Sequence, residues 1–565
     1  MASPKFPEAP PSIPPTSLEE CDALVRRLAE HRGAWVQTSI PERVQYLQKV
    51  IEGMNAVAPA MVADGCRKKG IPVDSSLAGE EWLAAVTTTI RNARLLIEAL
   101  EAGGQPRPPA VKARPDGQLV ADVFPTNLQD KLMFTGHSAE IWLEPGKPAT
   151  QGRIYREPKG EGAVGLVLGA GNVASIAPMD VLHKLFVEDE VCVLKMNPVN
   201  EHSGPHVETA FASLIADGFM AVVYGGVEVG KYLTTHECVE TLHVTGSDRT
   251  YDAIVWGPDP EEAQRRKDAD EPVNTRPFSA ELGCVTPVLV VPGPWSDADL
   301  EFQAKSVAGM VTQNGSFNCN AAKVVVLARG WDKRESFLQH LRTALSESPP
   351  RKAYYPGAAQ RYSSFVEKYP GAEVLGSGGE DIVPWTLIPD VQARSDEYAL
   401  STEAFCGVLA QVDLDCSTPG EFLRQATEFA NESCWGTLSC MVLVHPKTCK
   451  AHAAELDRAI AELRYGGIAI NCWAGLIYGL CVTTWGAFPG HTPKDIRSGM
   501  GVVHNTFLFD HPQKSVVRAP FRIQPPPVWF SDHKNLAQVG QKLVAMESEP
   551  GWGKLVGVAL AAFKG

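Results

Sequence analysis

The sequence predicts an α/β protein built on parallel sheets, and two stretches carry that reading. Residues 163–247 alternate apolar strand candidates (163–168, 190–195, 221–224 and 240–244) with helix candidates (173–187, 206–216 and 227–235). Residues 279–480 resume the alternation, with β-branched runs at 288–291 and 324–327. Strands that alternate with helices are joined by crossovers, so they lie parallel with helices on the sheet faces. Ligands of such sheets bind at the carboxyl ends of the strands.

The remaining elements follow in order. Residues 1–16 are proline-rich and read as a disordered or draped tail without a signal peptide. Residues 17–103 carry helical spacing, notably over 43–54 and 80–100. Residues 104–160 are rich in Pro and Gly, with β-like pieces at 118–124 and 140–143, and read as a connecting region or hairpin arm. A charged stretch, 248–278, reads as a surface elaboration, and the Gly- and Pro-rich tail 481–565 ends in an apolar helix candidate, 555–563. The expected units are 1–103, 104–160, 161–280, 281–480 and 481–565, close to the three or four lobes that 565 residues imply at about 150 per domain.

Composition narrows the function. A net charge of −14 excludes nucleic acid as the main partner, since phosphate binding needs a basic face. The 13 cysteines are odd in number, irregularly spaced and without a CxxC pair, which fits neither a disulfide framework nor a metal site and suits a reducing cytoplasm. No uncharged apolar run reaches the ~18 residues that would span a bilayer.

Chemistry concentrates in a few segments. In 314–323 (NGSFNCNAAK), Cys319 lies on a polar loop just before a strand, where a thiolate can face a cleft; a buried small hydrophobe is the alternative reading. Cys284, also near a strand start, is the second candidate nucleophile. Glu281, in 281–287 (ELGCVTP), precedes Cys319 by 38 residues, one β–α–β passage, and burial would raise its pKa into the range of a general base. Two segments compete as phosphate loops. One is 169–174 (GAGNVA), which resembles GxGxxG, with Asp189 placed as a ribose-binding acid; the other is 244–247 (VTGS), where Ser247 offers either a phosphate contact or a helix cap.

Taken together, these segments resemble the aldehyde dehydrogenase superfamily over roughly residues 140–505. The block 226–247 (GVEVGKYLTTHECVETLHVTGS) is similar to that family's VGxxLxxHxxVxxIxFTGS. Segment 281–287 resembles ELGGKxP, 317–319 resembles the GQxC nucleophile block, 403–408 (EAFCGV) resembles ExFGPV, and 467–471 (GIAIN) resembles GxVxVN. The resemblance implies two doubly wound parallel-sheet domains, with a β-arm and a C-terminal tail that join subunits into a homodimer or homotetramer. It implies that Cys319 attacks a small-molecule aldehyde, that Asn172 and the Cys319 N–H hold the oxyanion, and that Glu281 activates water. It assigns NAD or NADP to Lys195, Gly226, Gly246, Ser247, Leu282, Glu403 and Phe405, and makes 169–174 an oxyanion turn.

Departures mark a divergent branch. Ala170-Gly171 replaces Pro-Trp, Tyr251 replaces the glycine that ends GSxxxG, and Pro198 replaces an acid near Lys195, so NADP is expected to be accepted unless Glu201 substitutes. A CoA-acylating enzyme and a non-catalytic member are the alternatives. Phe317, Trp435, Trp473 and Trp485 are candidates for either a substrate tunnel or core.

Overall fold

The computed structural model describes residues 6–157 and 160–565; residues 1–5 of the expected tail and 158–159 of the expected connecting region lie outside the described residues. Residues 6–16 form no helix or strand, and the backbone of Thr16 donates to the carbonyl of Tyr224 at 3.1 Å, so this part of the tail is draped on the body.

The first sheet has six strands in the order Gly499–Met500, Phe278–Glu281, Thr241–Thr245, Ala163–Leu168, Glu190–Lys195 and Met220–Val223. The last five are parallel and Gly499–Met500 runs antiparallel to Phe278–Glu281. Residues Val191 to Lys195 are all buried, because helices cover both faces of this sheet. On one face lies helix Ile176–Val187, buried from Ile176 to Phe186. Helix Leu18–Gln37 also packs on the sheet; its Trp35 ring meets Phe186 at 5.3 Å and Phe219 at 5.1 Å. Gly499, at φ +118°, lets the tail approach the strand that carries Glu281, since a side chain there would run into Ala280 O.

The second sheet has eleven strands. Its centre is parallel and runs Pro512–Arg518, Gly467–Ile470, Ser439–Leu443, Pro287–Val290, Val324–Ala328, Val408–Leu414 and Thr386–Ile388. The expected arm is an antiparallel meander, Ala110–Ala113, Leu119–Phe124 and Ser138–Leu143, and it joins this sheet by pairing Ser138–Leu143 with Pro512–Arg518. The arm is therefore continuous with the catalytic sheet of its own chain.

Three readings need correction. The helical stretch 80–100 is broken: a π-turn, Trp82–Thr87, precedes helix Thr88–Glu101. Hydroxyls of Thr87 and Thr88 donate five residues back, to the carbonyls of Trp82 (2.9 Å) and Leu83 (2.8 Å), a span that suits the wider turn. The segment 248–278 is not only a surface elaboration: helix Asp248–Val255 buries Tyr251 and Val255, whereas Pro260–Ala269 buries nothing. The tail 481–565 supplies a central strand and two helices, Leu536–Ser548 and Trp552–Ala562. The second of these turns Trp552, Val556 and Leu560 to the outside.

Helix Leu536–Ser548 is fixed by buried charge. Glu547 accepts from Arg91 at 2.6 Å and from Arg94 at 2.7 Å, and Arg91 and Glu547 are almost fully enclosed. Removing one member of such a group leaves an uncompensated buried charge. Glu547→Ala is expected to destabilise the protein by about 3 kcal/mol, read as a lower urea midpoint; an unchanged midpoint would mean that the helix is held by its apolar face alone.

Candidate active site

Cys319 sits on a loop bent by three successive residues in left-handed conformation, Asn314 (φ 54°), Gly315 (φ 67°) and Ser316 (φ 70°). Two of these are not glycine, at a cost of roughly 1–2 kcal/mol each. The Asn314 side chain offsets it: its amide donates to Asn318 Oδ1 (3.0 Å), Asn172 O (3.2 Å) and Phe317 O (3.3 Å), and its oxygen accepts from Tyr354 at 3.1 Å. Asn172 Nδ2 donates to Phe317 O at 2.9 Å, two residues before the thiol, and retains a second amide hydrogen. Gly171 is needed here, because a Cβ would lie 2.9 Å from Asn197 Oδ1 and 3.1 Å from the Tyr355 hydroxyl.

Two cavities meet at Cys319 and Asn172. The larger, about 710 Å³, is a cleft between the carboxyl ends of the first sheet's strands and the amino ends of the second sheet's strands; Gly246, Ser247, Glu281, Leu282, Glu403 and Phe405 line it. The smaller, about 220 Å³, is a tunnel walled by Trp473, Leu476, Tyr478 and Trp485, with Phe134 and residues of the π-turn beyond. Its two cations are matched, Lys69 with Glu81 at 2.7 Å and Arg91 with Glu547. Trp473 and Trp485 thus belong to the tunnel and Trp435 to the cleft, while Phe317 packs between Tyr354 and Tyr355.

Cys319, Glu281 and Glu403 are all perturbed. Burial, reinforced by the charges of Glu281 and Glu403, pushes the Cys319 thiol well above its ordinary pKa, against the pull of Lys323. Burial and the charge of Asp180 push Glu281 well above the usual carboxylate range, opposed by the Trp485 side chain, and Glu281 Oε1 has no protein partner. Burial raises Glu403 to about 7, with Lys323, the Cys284 N–H (3.3 Å) and Arg361 opposing. Gly283 is the second obligatory glycine, since a side chain there would collide with the Glu403 carboxylate.

Eight of the ten expected residues line the cleft: Cys319, Glu281, Asn172, Gly246, Ser247, Leu282, Glu403 and Phe405. Lys195 and Gly226 do not. Lys195 ends its strand beside the cleft, its ammonium lowered to about 8 by burial with Glu201 opposing, and Gly226 caps helix Val227–Thr235. Asp189 pairs with Arg43 instead of facing a ribose. Cys284 is fully buried and its thiol turns toward Ser439 O.

Of the two readings of Ser247, the helix cap is the one seen. Its hydroxyl caps helix Asp248–Val255 by accepting from Thr250 N–H at 3.2 Å, and that helix start opens into the cleft. Sequence reading missed Arg249, Tyr355 and Arg361, which also line the cleft. Arg249, next to the Gly-Ser pair, was the one legible from its neighbours. An elongated cleft with a helix start and Arg249 on one wall and Glu403 and Phe405 on another suits a dinucleotide. Among the described residues no group of three or more His, Cys, Asp or Glu side chains is disposed to hold a metal, and no helix is long and apolar enough to cross a membrane.

Comparison with known proteins agrees with this geometry. The sequence model of the Aldehyde dehydrogenase family matches residues 8–478. The chain belongs to the aldehyde dehydrogenase family. A curated relative, the NADP-dependent glyceraldehyde-3-phosphate dehydrogenase of Streptococcus equinus, is 26% identical over 327 residues, a match that spans 56% of this chain and about half (55%) of the relative. The NAD-dependent aldehyde dehydrogenase of Sinorhizobium meliloti superposes with a TM-score of 0.61 at 20% identity, covering 92% of each chain. The NADP-dependent glyceraldehyde-3-phosphate dehydrogenase of Bacillus halodurans C-125, solved with NADP, superposes at 0.60 and 17% identity, covering 89% of this chain and 92% of its own. At these identities the superpositions establish the aldehyde dehydrogenase fold.

A raised thiol pKa makes Cys319 a slow nucleophile in the free protein at neutral pH. Its alkylation by iodoacetamide, followed by mass of the peptide that contains it, should climb about tenfold per pH unit between about 7 and 9. A plateau in that window would mean that the thiolate is already formed.

Proposed function

We propose that this chain is an NAD(P)-dependent aldehyde dehydrogenase that converts an aldehyde to a carboxylate. The observation that carries this is the position of Cys319, at the junction of a dinucleotide-sized cleft and a largely apolar tunnel, with Asn172 at the same junction and Glu281 on the cleft side. The Cys319 thiol ionises and its proton leaves to solvent before acylation, so that Glu281 is kept for the water step. The thiolate attacks the aldehyde carbonyl, and the oxyanion of the thiohemiacetal rests on the free hydrogen of the Asn172 amide and on the Cys319 N–H. Bound NAD or NADP, held by Ser247, Leu282, Glu403 and Phe405 with Lys195 nearby, supplies the hydride acceptor. Glu281 then takes a proton from water, which attacks the thioester and restores the thiol. A buried carboxylate beside the thiol favours water over a CoA thiol as acyl acceptor.

The tunnel supports an apolar aldehyde. Aromatic and aliphatic side chains form its walls, and both of its cations are already paired with carboxylates, so it offers no ready counter-charge to a phosphorylated substrate such as the names of the two glyceraldehyde-3-phosphate dehydrogenases indicate for them.

Cys319→Ser is expected to abolish oxidation of any aldehyde while dinucleotide binding persists. Glu281→Gln should keep a rapid burst of reduced cofactor and then slow, because acylation survives and hydrolysis does not. Equal loss of both phases would place Glu281 in thiol activation alone, and full activity of Cys319→Ser would move the nucleophile elsewhere.

The cofactor's 2′ position is read from Pro198 and Glu201. Pro198 offers neither charge nor acceptor, and Glu201 is engaged, accepting from the Ile13 N–H at 3.2 Å with its charge directed at Lys195. NADP is therefore expected to be accepted. A kcat/KM preference for NAD above about a hundredfold, ~2.7 kcal/mol, would defeat this and make Glu201 the ribose-binding acid.

A further inference from the structure

Behind Glu281 lies a buried polar group that the mechanism above does not use. Asp180, from helix Ile176–Val187, is 1% exposed. Its Oδ2 accepts from the Thr245 hydroxyl at 3.1 Å and faces His243 Nε2 at 3.4 Å; its Oδ1 has no protein partner. His243 is held in turn by the Ser279 hydroxyl, 2.8 Å from Nδ1. His504, 2% exposed, meets the Tyr478 ring edge-on at 4.6 Å and has no protein partner at either ring nitrogen. His183, one turn beyond Asp180, has an unpartnered Nδ1, and its Nε2 lies 3.4 Å from Glu188, whose side chain is 32% exposed.

Five buried polar atoms without a protein partner, on Glu281, Asp180, His183 and His504, are more than chance packing leaves, because each unsatisfied buried group costs about 1–3 kcal/mol. Such atoms are the ordinary partners of buried water. They are linked in turn by their charges, Glu281 with Asp180, and His504 with Asp180 and His183, and His183 meets the partly exposed Glu188. The other routes from Glu281 are the cleft and the tunnel, and both are filled when cofactor and acyl group are in place.

We propose that Asp180, His504, His243 and His183 form a water-bridged path that carries the proton taken up by Glu281 to solvent at Glu188. The path rests on the catalytic reading given above. Aldehyde and water become a carboxylate with loss of a hydride and of protons, so the carboxyl group of Glu281 must be emptied before the next turnover. In each hop an O–H or N–H bond breaks as the next one forms, and no oxidant or further reactant is needed. The groups facing Asp180 are Glu281, His243, His504 and Tyr478 from other elements and His183 from its own, with Lys184 and Glu190 near the exit. Burial keeps His504 neutral, with a pKa lowered to about 3, so it can pass a proton between its nitrogens without holding a charge. These are positioning and transfer residues that touch neither substrate nor cofactor.

The test has two readouts. In turnover, Asp180→Asn and His504→Gln should keep the burst of reduced cofactor and the KM, but lower steady-state kcat at least about tenfold, with a larger solvent isotope effect; Asp180→Glu should recover most of the loss. Without turnover, the protonated-carboxyl infrared band that Glu281→Gln abolishes should titrate at lower pH in Asp180→Asn, because a negative charge that favours protonation of Glu281 has gone. Unchanged kcat and isotope effect in both variants, or an unmoved band, would overturn the path. A wild-type protein with no burst on any aldehyde would instead defeat the catalytic reading, and the infrared band would still report on the path.

Discussion

The site depends on one constraint: three groups that want water when charged, Cys319, Glu281 and Glu403, are gathered in a buried junction where Lys323 is the cation that opposes two of them. Burial of a lone charge is costly, so Cys319 and Glu281 are held toward their neutral forms and Glu403 is raised to about 7, until something enters that favours the charged form. Lys323 sits at the foot of strand Val324–Ala328, its own pKa lowered by burial, and it moderates Cys319 and Glu403 without neutralising either. The free protein is thus a resting state. A cationic nicotinamide in the cleft would be the missing counter-charge, which ties thiol reactivity to cofactor occupancy.

Much of this was legible in the chain. Strands Ala163–Leu168 and Glu190–Lys195 fall where β-branched, uninterrupted apolar runs put them, because strands covered on both faces carry no polar alternation to blur their ends. Cys319, Glu281 and Asn172 were readable as motifs, and their meeting at strand ends followed from the topology of parallel sheets. What escaped depends on partners far away in sequence. Asp189 had the right spacing for a ribose acid, yet a left-handed φ of 64° and Arg43 turn it aside. Helix Leu536–Ser548 has a modest pattern of its own and is specified by Gly540 packing on Trp82 and by the arginines that meet Glu547. His504 sits in a Gly- and Pro-rich stretch and gives no local sign that it ends in the interior.

The departures from the family pattern become intelligible at the same junction. With Gly171 in place of tryptophan, Asn197 and the hydroxyl of Tyr355 close in on the oxyanion turn, and the wall that an indole would make is polar instead. The tunnel side moves the other way. The π-turn carries Leu83, Ala84 and Thr87 into its wall with Thr88 beside them, and the C-terminal segment adds Val528, Trp529, Leu536 and Leu543, so segments far apart in the sequence shape the tunnel.

The seam between the arm and Pro512–Arg518 has a consequence for biosynthesis. Strand Ser138–Leu143 is made well before the strand it pairs with, Pro512–Arg518, which follows about 370 residues later. At about 5–20 residues per second, the arm waits on the order of tens of seconds with one edge unpaired. Pairings of such long sequence separation also form slowly once both strands exist. The eleven-stranded sheet therefore closes late, and until then the open edge of Ser138–Leu143 is exposed to non-native pairing.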